Sequence, residues 1–296
     1  MKIVTYNIRY GIGRDQQYDL RRIADSVSGA DVIALQEVER HWKRTGMADQ
    51  PAEIARLLPD YHWVYGPAFD MDASYRDDNG ALVNRRRQFG TMLLSKTPIL
   101  TSRTLVFPKL ATTVFNMELG ALEGLIETGA GPVRFYSLHL SHLRDRERIL
   151  QLEMLLNVHR GWSQSGGAWT GKANIADTDW SAGLPPPSET PHAILLGDFN
   201  AEPGTGAYRL LTGETLPDYG NVTYIDEFVD SYCAVKHPAG AADYTYLTDE
   251  PDRDESKLRL DYCFVSALLS DRIQSARIDI DAQGSDHFPY WVDMDL

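Results

Sequence analysis

The chain has 296 residues, of which 43% are hydrophobic and 24% are charged, so it contains enough apolar material for a large core. It carries 42 acidic and 29 basic residues, and this net charge of −13 excludes attraction to polyanions by charge alone, because such binding needs clustered Lys and Arg. Two cysteines, Cys233 and Cys263, are too few to form a disulfide framework.

The first half of the chain alternates predicted strands with two helices. KIVTYNI has the alternation of a half-buried strand, and DVIALQE is a short apolar strand that ends in a carboxylate. A helix is predicted between these strands, with one apolar face formed by Leu20, Ile23, Ala24 and Val27. Pro51 suits the first turn of a second helix. Further strands are predicted at HWVYG, GTMLLS and PILTSRTLVF.

The second half contains one clear helix among more strands. TVFNMELGAL, GLIETG and VRFYSLHL are predicted to form an antiparallel meander, with turn signals between Gly129 and Pro132. RDRERILQLEMLLNVHR is a helix, because its apolar residues recur at helical spacing. Residues 161–191 are rich in Gly, Ser and Pro and form a predicted insertion loop. The strands HAILLGD, LRLDYCFVS, RIQSARIDI and FPYWVDM complete the chain.

Strands dominate this pattern, and hairpins coexist with crossover connections. The sequence contains neither GxGxxG nor a Walker loop, which argues against nucleotide-binding folds. A layered α/β sandwich formed by a single domain, residues 1–296, fits the pattern better than a doubly wound parallel sheet. The N-terminus has no apolar signal core and no stretch approaches a membrane span, so we expect a soluble cytoplasmic protein.

Several apolar strands end in a side chain that can do chemistry. These residues are Asn7, Glu37, His139, Asp198, Asn200 and Asp261, with Asp286 and His287 just before the last strand. Each has an ordinary structural explanation, such as a turn for Asn7, a solvated strand end for Glu37 or a satisfied core residue for His139. Asp261 fits that explanation least, because a carboxylate within an apolar strand needs a partner. Together they would be unusual in a purely structural protein.

The segments TYNIR, LQEVE, SLHL, GDFNAEP, RLDYCFVS and SDHFP occur in this order between Asn7 and His287. They resemble the signature blocks of the endonuclease/exonuclease/phosphatase family, which includes deoxyribonuclease, apurinic endonucleases, sphingomyelinases and inositol polyphosphate phosphatases. The resemblance covers nearly the whole chain. It implies a sandwich of two mainly antiparallel sheets packed face to face, with helices outside, and hydrolysis of a phosphate ester by metal-activated water.

The resemblance also implies roles for the strand-end residues. Glu37 is the first candidate ligand of Mg²⁺ or Mn²⁺, and Asn7 and Asp286 would complete or support the site, because such hard cations prefer oxygen ligands. His287 has a suitable pKa for proton transfer, and the family pattern pairs it with Asp261. His139 would donate a hydrogen bond to a phosphoryl oxygen in the transition state.

The motif GDFN raises a question of geometry. If the strand continues through Asn200, Asp198 and Asn200 project to the same side while Phe199 packs away. Asp198 could then position the attacking water or protonate the departing oxygen. Asn200 could donate to the phosphoryl group or hold Asp198. The residues leave these alternatives open.

The substrate is less well defined by the sequence. Arg9, which stands where apurinic endonucleases often carry a metal-binding Asp, Arg87 in the run 85–87 and Trp169 in the loop 161–191 are candidate substrate contacts. That loop holds three tryptophans and could overhang the site, or it could simply pack on itself.

The acidic charge and the lack of a basic face favour a small or lipid-like phosphodiester or phosphomonoester. A nuclease acting on DNA or RNA is the alternative, and a catalytically inactive binding module is a third. The number of metals and the oligomeric state are left open.

Overall fold

Two mixed sheets dominate the computed structural model, which describes residues 1–165, 167–171, 190–248 and 257–296. The strands are β1 (Lys2–Asn7), β2 (Val32–Arg40), β3 (His62–Asp72), β4 (Tyr75–Arg76), β5 (Leu82–Val83), β6 (Arg86–Ser95), β7 (Ile99–Val106), β8 (Gly120–Thr128), β9 (Gly131–His139), β10 (Ala193–Asp198), β11 (Thr215–Leu216), β12 (Gly220–Asn221), β13 (Phe228–Asp230), β14 (Tyr246–Leu247), β15 (Lys257–Leu258), β16 (Asp261–Ser266), β17 (Ile273–Ile278) and β18 (Tyr290–Met294). The α-helices are α1 (Leu20–Val27), α2 (Gln50–Leu57), α3 (Asp145–Arg160), α4 (Trp162–Ser165) and α5 (Gly206–Thr212), and 3-10 helices lie at Arg9–Gly11, Lys43–Thr45 and Ala267–Arg272.

Each large sheet contains a parallel pair of strands at its centre. The first sheet has the order β17–β18–β1–β2–β6–β3, and the second has the order β13–β16–β10–β9–β8–β7. Strands β1 and β2 are parallel in the first sheet, and β9 and β10 are parallel in the second. The other neighbours in these two sheets pair antiparallel. The predicted sandwich of two mainly antiparallel sheets is therefore confirmed.

The inner faces of the two sheets form one apolar layer. Ile3 and Val32 from the first sheet pack with Phe135, Ile194 and Cys263 from the second, and all five are fully buried. Removing each large side chain from water contributes roughly 1.5–3 kcal/mol to folding, so this layer holds the sheets face to face. Cys263 is thus a buried core residue, and both cysteines are free thiols.

Helices cover the outer faces of both sheets. Ile23 of α1 and Ile54 of α2 pack against the outer face of the first sheet. Leu152 of α3 and Leu211 of α5 pack with Phe264 against the outer face of the second sheet. In the described part of the chain, no helix is both long enough and apolar enough to cross a membrane.

The structure corrects the predicted elements at two places. TVFNMELGAL was expected to be a strand, but β8 begins only at Gly120 and the preceding residues form a loop. Helix α5 was not predicted, because it is only seven residues long. Its start is set by Thr205, whose side chain accepts a hydrogen bond from the Tyr208 N–H.

Candidate active site

The carboxyl ends of the two parallel strand pairs meet at one edge of the sandwich. Asn7 ends β1, and Glu37 lies on the neighbouring β2. His139 ends β9 and pairs in register with Asp198 at the end of β10. Asp198 also pairs with Asp261, the first residue of β16. Strand ends that the sequence separates by up to 254 positions are therefore neighbours in space.

The carboxylate of Asp198 is the centre of this cluster. Its Oδ2 atom accepts a hydrogen bond from Asn7 Nδ2 at 3.0 Å. The same oxygen lies 3.5 Å from His139 Nε2 and 3.8 Å from His287 Nε2. Asp198 is only 2% exposed, so these contacts form in a site with little water. One oxygen atom thus brings together three side chains from different strands and loops.

His287 and Asp261 form a buried pair. His287 Nδ1 lies 2.7 Å from Asp261 Oδ2, a short hydrogen-bond distance. The backbone N–H of His287 donates to Ser285 Oγ, and its ring packs 4.9 Å from the ring of Tyr246. The Asp261 N–H donates to Thr245 Oγ1 at 2.9 Å. These contacts fix the ring so that Nε2 faces Asp198.

Burial and charge act in opposite directions on this pair. Burial lowers the pKa of His287, but the negative charges of Asp261 and Asp198 outweigh that effect and leave the pKa raised. Burial raises the pKa of Asp261, and the charge of His287 only partly offsets this. In this environment the proton lies on His287, which donates its Nδ1–H to Asp261.

The Nε2 atom of His139 faces the carboxylate of Asp198, 3.5 Å from Oδ2. The buried Nδ1 atom of His139 has no hydrogen-bond partner among the described residues. In the neutral ring the proton is therefore favoured on Nε2, the atom that lies near Asp198 Oδ2. A donor at this position can also serve an anionic group that enters the site.

Glu37 has an unusual backbone conformation. The pairing of β2 with β6 shifts register between Leu35 and Val38, and Glu37 within this bulge has φ 60°. Its Oε1 atom accepts a hydrogen bond from Asn7 Nδ2 at 3.2 Å. The bulge turns a half-buried carboxylate toward the cluster rather than into the sheet. A carboxylate at the rim, next to an amide, is suitable for a hard divalent cation such as Mg²⁺.

The other two predicted metal ligands have protein partners in this structure. Asn7 Oδ1 accepts the Arg9 N–H at 3.0 Å. Asp286 Oδ2 lies 3.4 Å from Arg9 Nε, and Asp286 Oδ1 accepts a hydrogen bond from Ser285 Oγ. Arg9 therefore lies beside the predicted metal ligands. As placed, Asn7 holds Glu37 and Asp198 through its amide nitrogen, while its oxygen is engaged by Arg9.

Asn200 does not project beside Asp198 from a continuous strand, and that expectation is wrong. Strand β10 ends at Asp198, and Asn200 has φ 47°, in the left-handed region that Asn tolerates. The buried Phe199 packs against Phe264. Asn200 donates its backbone N–H to Asp198 Oδ1 at 2.8 Å and its Nδ2 to the Leu140 carbonyl at 2.9 Å. It therefore braces Asp198 from behind.

Two of the predicted substrate contacts, Arg87 and Trp169, make no contact with this cluster among the described residues. Arg87 lies on β6, where its Nε donates to the His41 carbonyl and its guanidinium is 5.7 Å from the Trp42 ring. Trp169 is half-buried in the segment after α4. Its role as a substrate contact stays a prediction.

The loop 161–191 does not begin over the site. Trp162 lies 5.7 Å from Arg134, near the start of β9, whereas His139 ends that strand. The loop therefore leaves α3 at the opposite end of the sheet, because α3 carries the chain away from the site. Trp180 and residues 172–189 lie outside the described residues.

Sequence reasoning missed His142, which follows His139 by three positions on the loop after β9. This loop is held by α3, because Gln151 accepts the Ser141 N–H and Arg148 donates to the Ser141 carbonyl. Partial desolvation lowers the pKa of His142, and the nearby His139 lowers it further. The signal was a second histidine in SLHLSH, which the strand pattern alone did not single out.

An aromatic and arginine cluster on the loop after β2 was also missed. The guanidinium of Arg44 lies 3.7 Å from the Tyr10 ring and 4.6 Å from the Trp42 ring. Arg44 also forms an ion pair with the buried Glu39, two residues after Glu37. We call Tyr10, Trp42, Arg44 and Arg87 the arginine–aromatic cluster. Its residues are far apart in the sequence, so no local motif predicts that they form a cluster.

Comparison with solved structures supports the fold. An endonuclease/exonuclease/phosphatase from Beutenbergia cavernae has 19% sequence identity and a TM-score of 0.62, covering 100% of this chain and 71% of that one. A mannosyl-6-phosphatase from Bacteroides thetaiotaomicron has 17% identity and a TM-score of 0.57, with both chains fully covered. A 3′ phosphatase from Neisseria, bound to a product DNA hairpin, has 15% identity and a TM-score of 0.57, again with full coverage. No curated protein matches the chain.

Two face-to-face sheets with carboxylates and histidines at one shared edge define an α/β-sandwich hydrolase. The chain belongs to the Endonuclease/Exonuclease/phosphatase family, because the family model matches residues 4–287. Members of this family are phosphoester hydrolases. The resemblance inferred from the sequence blocks is thereby confirmed.

Proposed function

We propose that the protein is a metal-dependent phosphodiesterase that hydrolyses a small or lipid-like phosphodiester, or a related phosphomonoester, by in-line attack of water. The observation that carries this proposal is the convergence on Asp198 Oδ2 of Asn7, His139 and His287, with Glu37 held beside them by Asn7. Such a site combines an acceptor, two imidazoles and a cation ligand within a few ångströms.

The residues at the rim fit a hard divalent cation, Mg²⁺ or Mn²⁺. Glu37 would hold it, with Asp286 supporting the site through its carboxylate and Asn7 through the amide that positions Glu37. When bound, the cation supplies charge neutralisation and polarises a phosphoryl oxygen. Asn7 keeps Glu37 in place, because its amide nitrogen lies between the Glu37 and Asp198 carboxylates.

The protein groups supply proton transfer and hydrogen bonds. We assign proton transfer at the attacking water to His287, which Asp261 orients through Nδ1. A divalent cation held by Glu37 would repel the protonated ring and so favour the neutral form of His287, whose Nε2 can accept a proton. His139 Nε2–H donates to a phosphoryl oxygen. Asp198 accepts from the water or protonates the departing oxygen, and Asn200 keeps its carboxylate fixed.

The surroundings of the site support a small or lipid-like substrate. Glu118 and Leu119, at the end of the loop before β8, line a narrow crevice together with His139. On that loop, Phe115 is 74% exposed and Val114 is 57% exposed. The loop is anchored to α3, since Asn116 Nδ2 donates to Glu147 Oε1 at 2.9 Å. Exposed apolar side chains on the loop whose end reaches His139 suit a phosphodiester that carries an apolar group.

A nuclease is the second candidate, and the arginine–aromatic cluster favours it. Aromatic rings beside arginines can stack on nucleic-acid bases and contact the backbone. The similar Neisseria structure contains a DNA hairpin. Against this, the chain carries a net charge of −13. A catalytically inactive binding module is a third and weaker candidate, because acid, base and ligand candidates are all present. The cytoplasmic location stays a prediction.

An activity panel tests the proposal. The purified protein is assayed with Mg²⁺ or Mn²⁺ on aryl phosphodiesters, aryl phosphomonoesters, phospholipid head-group esters, and single- and double-stranded DNA. The His287→Ala protein serves as the matched blank for contaminating activity. We expect metal-dependent hydrolysis of a small or lipid-like ester that His287→Ala abolishes. Hydrolysis of DNA alone would replace the proposal with the nuclease, and binding of every ester without turnover would replace it with the binding module.

A further inference from the structure

A second polar cavity lies on the outer face of the second sheet, away from the active site. It has a volume of about 130 Å³ and is lined by Thr101, Ser102, Arg103, Glu123, Leu125, Arg134 and Trp162, among others. Arg134 precedes His139 by five positions on β9, which places the cavity roughly 17 Å along the strand from the catalytic cluster. Nothing in the proposed chemistry uses these residues.

Arg134 is a buried cation that has no acidic partner among the described residues. It is 4% exposed, and its Nε atom is buried without a hydrogen-bond partner. Its Nη2 lies 3.3 Å from His159 Nδ1, which can accept this bond only when that nitrogen is unprotonated. Within the described ranges, no carboxylate lies within salt-bridge distance of Arg134. A cation taken out of water in this way is costly unless an anion pairs with it.

The one described acidic residue of the cavity, Glu123, is already paired with Arg103. Both oxygens of Glu123 accept hydrogen bonds from Arg103, at 3.0 and 2.9 Å, in the two-point geometry typical of arginine and carboxylate. Among the residues that the structure describes, the lining therefore contains two arginines and one glutamate, so one positive charge has no acidic counterpart there. The protein as a whole has a net charge of −13, so a buried excess of positive charge at one place is notable.

We infer that this cavity binds a small organic carboxylate, whose charge balances Arg134. The planar guanidinium matches a carboxylate, and the hydroxyl of Thr101, which shares the sheet face of Arg103, adds a polar partner at the wall. Leu125 and Trp162 supply apolar surface for a short hydrocarbon part. Water takes about 30 Å³ per molecule in the liquid, so the volume suits an anion of a few non-hydrogen atoms.

Thermal unfolding of the metal-free protein tests this site, with sodium acetate and sodium butyrate as probes and sodium chloride at equal ionic strength as reference. A ligand at about fifty times Kd is expected to raise Tm by about 3–6 °C. Arg134→Met should lose this response. His287→Ala should keep it, because the active site is not involved. Equal Tm in carboxylate and chloride, or an undiminished response in Arg134→Met, would overturn the inference.

A second variant changes the charge in the opposite direction. Glu123→Gln removes the one negative charge of the lining, so it should bind butyrate about tenfold more tightly in a calorimetric titration. If Arg134→Met does not fold, the butyrate titration of Glu123→Gln tests the inference by itself. An unchanged or weaker affinity in Glu123→Gln would then contradict an anion site, because added positive charge must favour an anion bound there.

Discussion

The two oxygen atoms of Asp198 have different surroundings. Oδ1 accepts the backbone N–H of Asn200, so it is held by the fold. Oδ2 faces Asn7, His139 and His287 and is therefore the oxygen available for chemistry. An amide in place of this carboxylate keeps the shape of the side chain but changes its charge and its ability to accept a proton. The function of Asp198 can thus be tested with little disturbance to the fold.

We expect Asp198→Asn and His287→Ala each to lower kcat by about 10²–10⁴-fold, because each removes a group that accepts or transfers a proton in the transition state. The measurement is kcat on the best ester of the activity panel, with circular dichroism to check folding. The matched control is His62→Ala, which alters an exposed histidine on β3. Near-normal turnover in both variants would falsify the proposed mechanism.

The sequence predicted which residues would gather, but not how each one is oriented. Asn7, Glu37, His139, Asp198, Asp261, Asp286 and His287 were named from strand ends and family blocks, and the structure places them near one edge. The position of Asn200 was wrong because a left-handed φ is not visible in a strand-like pattern. The outward turn of Glu37 was equally hidden, since it depends on a bulge that only the pairing of β2 with β6 creates.

A buried polar link joins the two sheets just beneath the site. Gln36 Nε2, beside Glu37 on β2, donates to Ser137 Oγ on β9 at 3.0 Å. Ser137 Oγ donates in turn to the Leu35 carbonyl at 3.1 Å. Gln36 and Ser137 are fully buried, so neither can replace these bonds with water. The strand that carries Glu37 is in this way tied to the strand that ends in His139.

Ser137→Ala is therefore expected to lower the free energy of unfolding by about 1–3 kcal/mol, because it leaves the Gln36 amide buried without its partner. Urea denaturation followed by tryptophan fluorescence measures this loss. Ser163→Ala, on the exposed surface of α4, is the control and should change stability by less than about 0.5 kcal/mol. Equal stability of the two variants would mean that the link contributes nothing.

The C-terminal end of α3 carries a histidine that titrates abnormally. Burial lowers the pKa of His159 to about 4, and the nearby Arg134 and Arg160 add to the effect. The unfolded chain binds this proton near its ordinary pKa of about 6.5, so between pH 6.5 and 4 the unfolded state holds more protons than the folded state. The contribution of neutral His159 to the free energy of unfolding is fully present above about pH 6.5 and decreases as the pH falls toward 4.

His159 is expected to account for about 2–3 kcal/mol of the stability that the wild type loses between pH 7 and pH 4.5. His159→Gln should lose less over the same interval, because glutamine does not titrate. Urea denaturation at pH 7.0, 5.5 and 4.5 gives both slopes, and the difference between them isolates His159 from the other groups. Identical slopes in the two proteins would show that His159 is not buried in its neutral form.

The elements themselves were predictable where their apolar pattern was long. Helix α3 and the strand β10 have strong patterns, and both were placed correctly. Helix α5 has only seven residues and depends on the Thr205 cap and on packing against α3, which the sequence does not reveal. The arginine–aromatic cluster was missed for a related reason, because its members come together only when the loop after β2 folds over the sheet.

The charge of the protein as a unit favours binding of cations. Its net charge is −13, and Glu37, Asp198 and Asp286 bring several carboxylates to one edge. Mg²⁺ at about 100 times Kd is expected to raise the free energy of unfolding by about 2.7 kcal/mol in the wild type. Glu37→Gln should lose most of this gain, and EDTA should reverse it and stop turnover. Full activity in the metal-free protein would remove the cation from the mechanism.

The same charge separates the two classes of substrate, because salt affects them differently. A nuclease that neutralises 6–10 phosphates loses roughly 10³–10⁵-fold in affinity between 50 and 200 mM salt. A small diester carries one charge and makes few ionic contacts, so its kcat/KM should change by less than about threefold over this range.

The measurement is kcat/KM for an aryl phosphodiester and for a single-stranded oligonucleotide at four salt concentrations with Mg²⁺ fixed. The nuclease would be favoured if kcat/KM for the oligonucleotide fell steeply with salt and exceeded that for the diester at low salt. The arginine–aromatic cluster would then be binding a polyanion. A flat profile with the diester as the better substrate is expected, because the acidic protein repels a long polyanion more strongly than a small diester.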